Sequence, residues 1–271
     1  MKIKELQALY GLKWNPFLTE IPVHSLWKTP ETEHFLFRFE NLVMDGGFGL
    51  ITGAHGLGKS KCLHLLADHL SKLDDVTVGV MERPQSSLSD FYREMGDLFD
   101  VELIPSNRYG GFKALRERWK SHIKTTLFRP VLLIDEAQEM ETVCLNELKM
   151  LASSQFDSRN LLTIILCGDM RLPERFRQSD LLALGSRMQV RRMLKPYDKN
   201  ILCDYLKHSI TQAGASHLMT DGLMTTLAEH SAGNLRVLNA MAAELLAAGA
   251  KKELNQLDEK LFIEHYSQKK N

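Results

Sequence analysis

Eight residues constrain this chain more than any others. Gly53-Ala-His-Gly-Leu-Gly-Lys-Ser60 matches the pattern G-x-x-x-x-G-K-[ST], which works only as a loop leaving a buried strand and opening a helix. The flanks meet that demand. Phe48-Gly-Leu-Ile-Thr52 is a short apolar run bounded by glycines, and Lys59–Leu73 has an amphipathic helical period. Glycines let the backbone curl so that successive N–H groups converge on anionic oxygens, and the helix that follows adds its positive end. The residues expected to line a phosphate are therefore Gly53, Ala54, His55, Gly56, Leu57, Gly58, Lys59, Ser60 and Lys61. A chance match arises in roughly one random chain in a hundred of this length, and the correct flanks lower those odds further.

Downstream, strand and helix alternate. Val76–Met81 is β-rich, and Ser87–Phe99 has helical period with Ser87 as N-cap and Asp90 at capping-box spacing. A helical stretch at Tyr109–Leu127 precedes the compact apolar strand Val131–Asp135. Cys144–Ser154 reads as helix, Leu161–Cys167 and Met188–Met193 as strands. Such alternation implies an α/β fold, a parallel sheet sandwiched by helices. After Pro196 the pattern turns wholly helical: Tyr197–Gln212, Thr220–Ser231, Asn234–Ala248 and Leu257–Gln268, broken by Gly214, Gly233 and Gly249. The expected organisation is a lead-in at 1–45, a core at 46–195 and a helical unit at 196–271.

Val131-Leu-Leu-Ile-Asp-Glu136 complements the phosphate loop. A strand ending in two acids presents them at the carboxyl edge of the sheet, where α/β folds bind ligands. Asp135, with the Ser60 hydroxyl, suits Mg2+, and Glu136 suits polarising an attacking water. The rest of the composition excludes other classes. No apolar run approaches the ~20 residues of a membrane helix, and Met1-Lys-Ile-Lys-Glu-Leu lacks a leader's apolar region. Cys62, Cys144, Cys167 and Cys203 stand singly without zinc-ligand spacing, which favours a reducing, cytoplasmic compartment and no contact with membrane.

Gly53–Ser60, Leu132-Leu-Ile-Asp-Glu-Ala-Gln138 and the helical C-terminal part together resemble the AAA+ ATPases, P-loop NTPases whose core carries a helical lid. The resemblance implies ATP and Mg2+ as ligands and catalytic roles for Lys59 and Glu136. It also implies a homo-oligomer, ring or helical filament, in which an arginine acts in trans on the neighbouring site. Gly185-Ser-Arg187 stands where that finger is expected, and Gly233-Asn-Leu-Arg236 where a lid sensor arginine is expected. One position departs from the pattern. The strand before the finger ends Cys167-Gly-Asp169, an aspartate in place of the usual neutral polar sensor. An anion there is repelled by a terminal phosphate unless it meets metal or orients water.

More narrowly, Tyr10-Gly-Leu-x-x-Asn-Pro-Phe17 and Asp-Glu-Ala-Gln138 look like the ExeA/TnsC-like group. The secretion ATPases of that group continue into a membrane span and a peptidoglycan-binding region, neither of which is expected here. The expectation is thus a transposon-type helper that assembles on duplex DNA and serves a transposase. The alternatives are an ExeA-type assembly factor without DNA binding, or a replication initiator or loader.

The charge balance of 34 basic against 34 acidic residues argues against indiscriminate polyanion binding. It conceals two basic stretches, Arg108–Arg129 at net +6 and Arg171–Lys199 at net +5. Such stretches suit phosphate-backbone contacts, which position a protein without reading sequence. Arg83, Lys113, Arg116 and Lys120 are the expected DNA contacts; a solvated helix face is the competing reading.

Overall fold

The computed structural model describes residues 3–84, 87–104, 107–125, 129–155 and 159–268. Five strands form one parallel sheet: β1 (Phe48–Gly53), β2 (Val76–Met81), β3 (Arg129–Ile134), β4 (Thr163–Gly168) and β5 (Met188–Leu194), in the order β2-β3-β4-β1-β5. Every residue of β1 and β4 is buried, as is β3 beyond Arg129. Continuous apolar runs are what a strand covered on both faces requires. At the edge, β5 buries only its two ends and alternates between half-buried and exposed positions.

The chain divides into two compact units. One comprises 29–55 and 59–194, and holds the sheet with its helices; the other comprises 1–28, 56–58 and 195–271. The expected lead-in of 1–45 is therefore split. Tyr10, Leu12 and Phe17 are buried with Leu206, Leu223, Leu245 and Leu257 in the core of the helical unit. The helix Pro30–Asp45 instead covers β1: a Cβ on Gly49 would lie 2.6 Å from the Phe39 ring.

Local signals hold well in both units. Ser87 Oγ accepts the Asp90 N–H and opens the helix Leu88–Phe99. Thr220 caps Asp221–His230, and Asn234 accepts the N–H groups of Arg236 and Val237 at the start of Leu235–Lys251. Of the other helices in that unit, Lys199–Gln212 and Glu259–Gln268 differ from expectation only at their ends, whereas Ile3–Tyr10 has no counterpart among the expected helices. The long basic helix spans Arg108–Thr125, and the expected continuation to Leu127 lies outside the described residues. Three short elements carry no periodic signal: the helices Arg171–Arg175 and Leu182–Gly185, and a ladder pairing Ser153–Ser154 with Arg159–Asn160.

A charge is buried beneath this fold. Glu147, 2% exposed on the helix Thr142–Ala152, accepts three hydrogen bonds from Arg108 (one from Nη2 at 2.6 Å, two from Nε at 3.1 and 3.2 Å) and one from the Tyr92 hydroxyl at 2.5 Å. Burial first, then the hydrogen bond to Glu147, pushes the Tyr92 phenol far above its ordinary range. Arg108, counted in the +6 stretch, is thus committed to holding three helices together. Removing the carboxylate strands its partners, so Glu147→Ala is expected to destabilise the protein by about 2–4 kcal/mol. Urea unfolding followed by circular dichroism measures this, and a change below about 1 kcal/mol would contradict the role of the buried carboxylate.

Candidate nucleotide site

Adjacent strands deliver the chemistry. β3, β4 and β1 lie side by side and all point the same way, so their carboxyl ends release Asp135-Glu136, Asp169 and the loop at Gly53 along one edge of the sheet. Gly56 and Gly58 hold φ of +81° and +88°, a region that side-chain-bearing residues rarely enter. This is the backbone curl that the phosphate-loop pattern predicts. At its tip the Gly56 carbonyl accepts the Arg236 N–H at 3.1 Å, and the Leu57 carbonyl accepts the Tyr197 hydroxyl at 3.2 Å. The Gly-x-x-Arg motif therefore sits beside the loop tip, with the Arg236 side chain exposed. Gly233 at φ +80° makes this possible, since a Cβ there would lie 2.6 Å from Pro196.

Lys59 is 6% exposed, and its ammonium donates to the Ala54 carbonyl at 3.2 Å. A buried cation facing a carbonyl of its own loop is the chemistry a phosphate oxygen would complete. Ser60 is exposed at the first turn of Lys59–Leu70, and Asp135 is half-buried with its Oδ1 accepting the Glu136 N–H at 2.9 Å. The Cys167 thiol also bonds to Asp135; burial, then that carboxylate, raises the thiol far above its usual range. Among the described residues no cluster of three acidic, histidine or cysteine side chains forms a metal cage. Mg2+ does not need one, because it is held by one or two carboxylates together with phosphate oxygens. The residues present fit a Mg2+–nucleotide.

Glu136 adopts φ +49° and ψ +36°, a left-handed turn that ends the strand direction and starts the 3-10 turn Ala137–Glu139. The strand-end aspartate is answered by a cation. Arg171 donates to Asp169 at 2.8 Å and to Glu139 at 2.6 Å, and the His55 ring lies 3.6 Å from Asp169. Burial pushes the Asp169 carboxyl up, but the Arg171 hydrogen bonds and the neighbouring charges outweigh it and hold the group below its usual range. The repulsion expected at Asp169 is thus relieved by Arg171, a residue that sequence reading placed only in a basic stretch. The Asp169-Met-Arg171 spacing was its one available signal. Gln138, recognised only as part of a motif, bonds to both Glu136 and the Asp169 N–H.

Arg187 is half-buried just before β5, next to the helix Leu182–Gly185. Arg83 is exposed beyond β2, and Lys61 is half-buried with its amine held below its ordinary range by burial. Lys113 and Lys120 are exposed on the basic helix. Arg116 is committed elsewhere: it donates to the carbonyls of Met150 (2.8 Å), Leu151 and Ser153, closing the end of the helix Thr142–Ala152. Its expected phosphate contact gives way to helix capping.

Residues 43–176 match the family model of the AAA domain, and the sheet with its flanking helices is the AAA+ P-loop NTPase fold. Over 207 residues, 75% of its length, the chain is 28% identical to General secretion pathway protein A of Aeromonas hydrophila and spans 37% of that protein. Two archaeal structures are similar in fold. The ORC2 protein of Aeropyrum pernix, solved as ADPNP-ADP complexes, superposes with TM-score 0.73 at 13% identity, over 94% of this chain and 71% of that one. The ORC1 protein of Aeropyrum pernix, in complex with DNA, gives 0.67 at 13% identity, over 93% and 68%. Lys59→Ala is expected to weaken binding of a fluorescent ATP analogue by about 100-fold or more, since a charge-assisted contact is lost inside the loop. An affinity within threefold of the parent would contradict the phosphate assignment.

Proposed function

We propose that the chain is an ATPase that binds ATP with Mg2+, assembles into a ring or filament on duplex DNA, and serves as target-selection helper of a transposase. The observation that carries the ATPase reading is the buried Lys59 on the same sheet edge as Asp135 and Glu136. Lys59 binds the terminal phosphates, and the backbone N–H groups of the loop share that charge. Ser60 and Asp135 hold Mg2+, which when bound neutralises charge developing on the phosphate oxygens. Glu136 orients a water toward the terminal phosphorus and accepts its proton. Arg187 of a neighbouring copy supplies a further positive charge, and Arg236 reads the phosphates from the lid.

The DNA reading is supported by a basic cleft of about 430 Å³ lined by Arg116, Lys120, Lys124, Ser154, Gln155 and Arg159. At 100° per residue, Lys113, Arg116, Lys120 and Lys124 fall within about 80° on one face of the helix. With Arg116 tied to carbonyls, the exposed Lys113, Lys120, Lys124 and Arg159 are the groups available to a phosphate backbone. Arg83 adds a contact from beyond β2. The transposition role rests on the ExeA/TnsC-like opening at Tyr10–Phe17 together with this cleft. A second reading, an ATP-dependent assembly factor of the secretion type, is favoured by the likeness to General secretion pathway protein A. A replication loader is favoured by the fold shared with the origin-recognition proteins.

Four expected outcomes separate these. Glu136→Gln keeps nucleotide binding but lowers phosphate release by about 100-fold or more. Arg187→Ala lowers turnover only at protein concentrations where oligomers form, and is rescued by mixing with Lys59→Ala subunits; turnover independent of concentration in the parent would contradict a finger in trans. Lys120→Glu with Lys124→Glu and Arg159→Glu weakens duplex binding about tenfold or more in fluorescence anisotropy, and raising salt from 50 to 200 mM weakens the parent steeply. ATP turnover without DNA affinity at low salt would favour the secretion-type reading.

A further inference from the structure

The geometry points to Gln138 as a positioning residue for Glu136, one that ties the water-polarising carboxylate to the end of β4. This rests on the ATPase reading above. Gln138 is 6% exposed, and each end of its amide is engaged. Its Oε1 accepts the Asp169 N–H at 3.0 Å, and its Nε2 donates to Glu136 Oε2. The orientation is forced: turning the amide over would set NH2 against an N–H and a carbonyl oxygen against a carboxylate. The main chain beneath is fixed as well, because Arg175 donates to the Gln138 carbonyl at 2.6 Å and to that of Met140 at 2.7 Å.

Glu136 needs such a tether. It sits in a left-handed turn, half-buried, with a flexible side chain that could otherwise rotate away from the sheet edge. Gln138 removes that freedom and leaves the second carboxylate oxygen to face a water. Because the same amide holds the backbone of Asp169, a shift at the β4 end is handed directly to Glu136. Asp169 is in turn gripped by Arg171, and His55 of the phosphate loop lies within 3.6 Å. A displacement of that loop thus has a short, contiguous route to the group that polarises the water.

The test uses the full chain, measuring ATP turnover, nucleotide affinity and thermal unfolding, with duplex DNA present and absent. Gln138→Ala is expected to lower kcat about 10–50-fold while leaving KM for ATP within twofold. Gln138→Glu keeps the acceptor for the Asp169 N–H but sets an oxygen against Glu136; it is expected to lose at least as much turnover. In a Glu136→Gln background, Gln138→Ala is expected to cost nothing further, because the tethered carboxylate is already gone. An equal, additive loss in that background overturns the inference while the ATPase reading stands. So does a rise in KM with kcat unchanged. Should Glu136→Gln alone retain full turnover, the ATPase role of Glu136 fails first and takes the inference with it.

Discussion

Three parallel strands in the order β3-β4-β1 form the constraint on which the site depends. Parallel strands expose all their carboxyl ends on one edge, so segments some 30 and 115 residues apart in sequence emerge as neighbours. Neither the phosphate loop nor the acidic pair would suffice alone. The register places Ile51 beside Cys167 and Leu133 beside Ile165, which fixes how far each loop projects. Burial of all three strands on both faces makes that register stiff, since a one-residue slip would exchange the side chains packed against the two covering layers.

Legibility in the sequence followed the range of the interaction. The phosphate loop, the strand ending in Asp135-Glu136 and the caps at Ser87, Thr220 and Asn234 are chemistry among contiguous residues, and their patterns survive without the fold. The alternation of strand and helix was readable for the same reason. What could not be read were pairings across strands. Gln138 and Asp169 lie 31 residues apart and meet only because β3 and β4 pair. The division of the first 45 residues was equally hidden, because the aromatic and apolar residues on both sides of Lys28 look alike until their cores are known. Charge was the least reliable signal. Within one basic stretch Arg108 neutralises a buried glutamate, Arg116 caps a helix, and the exposed lysines at 113, 120 and 124 remain for solvent or an anion.

The arginines show how one residue type serves different ends. Arg171 and Arg175 stand four apart on a five-residue helix that periodicity does not reveal. One satisfies the anionic end of β4 and the other fixes the turn after β3 through two carbonyls. Together they tie down the sheet edge beside Glu136. A planar, multiply donating cation suits both tasks, whereas a lysine offers only a point charge.

The lysine within the phosphate loop has a second role. Its bond to the Ala54 carbonyl means that the loop carries an acceptor for its own cation. An arriving anion therefore displaces an existing partner instead of capturing a bare charge, and affinity reflects the difference between two acceptors. The curl itself is set within the chain by the positive φ of Gly56 and Gly58, so the shape of the cradle is written into two glycines.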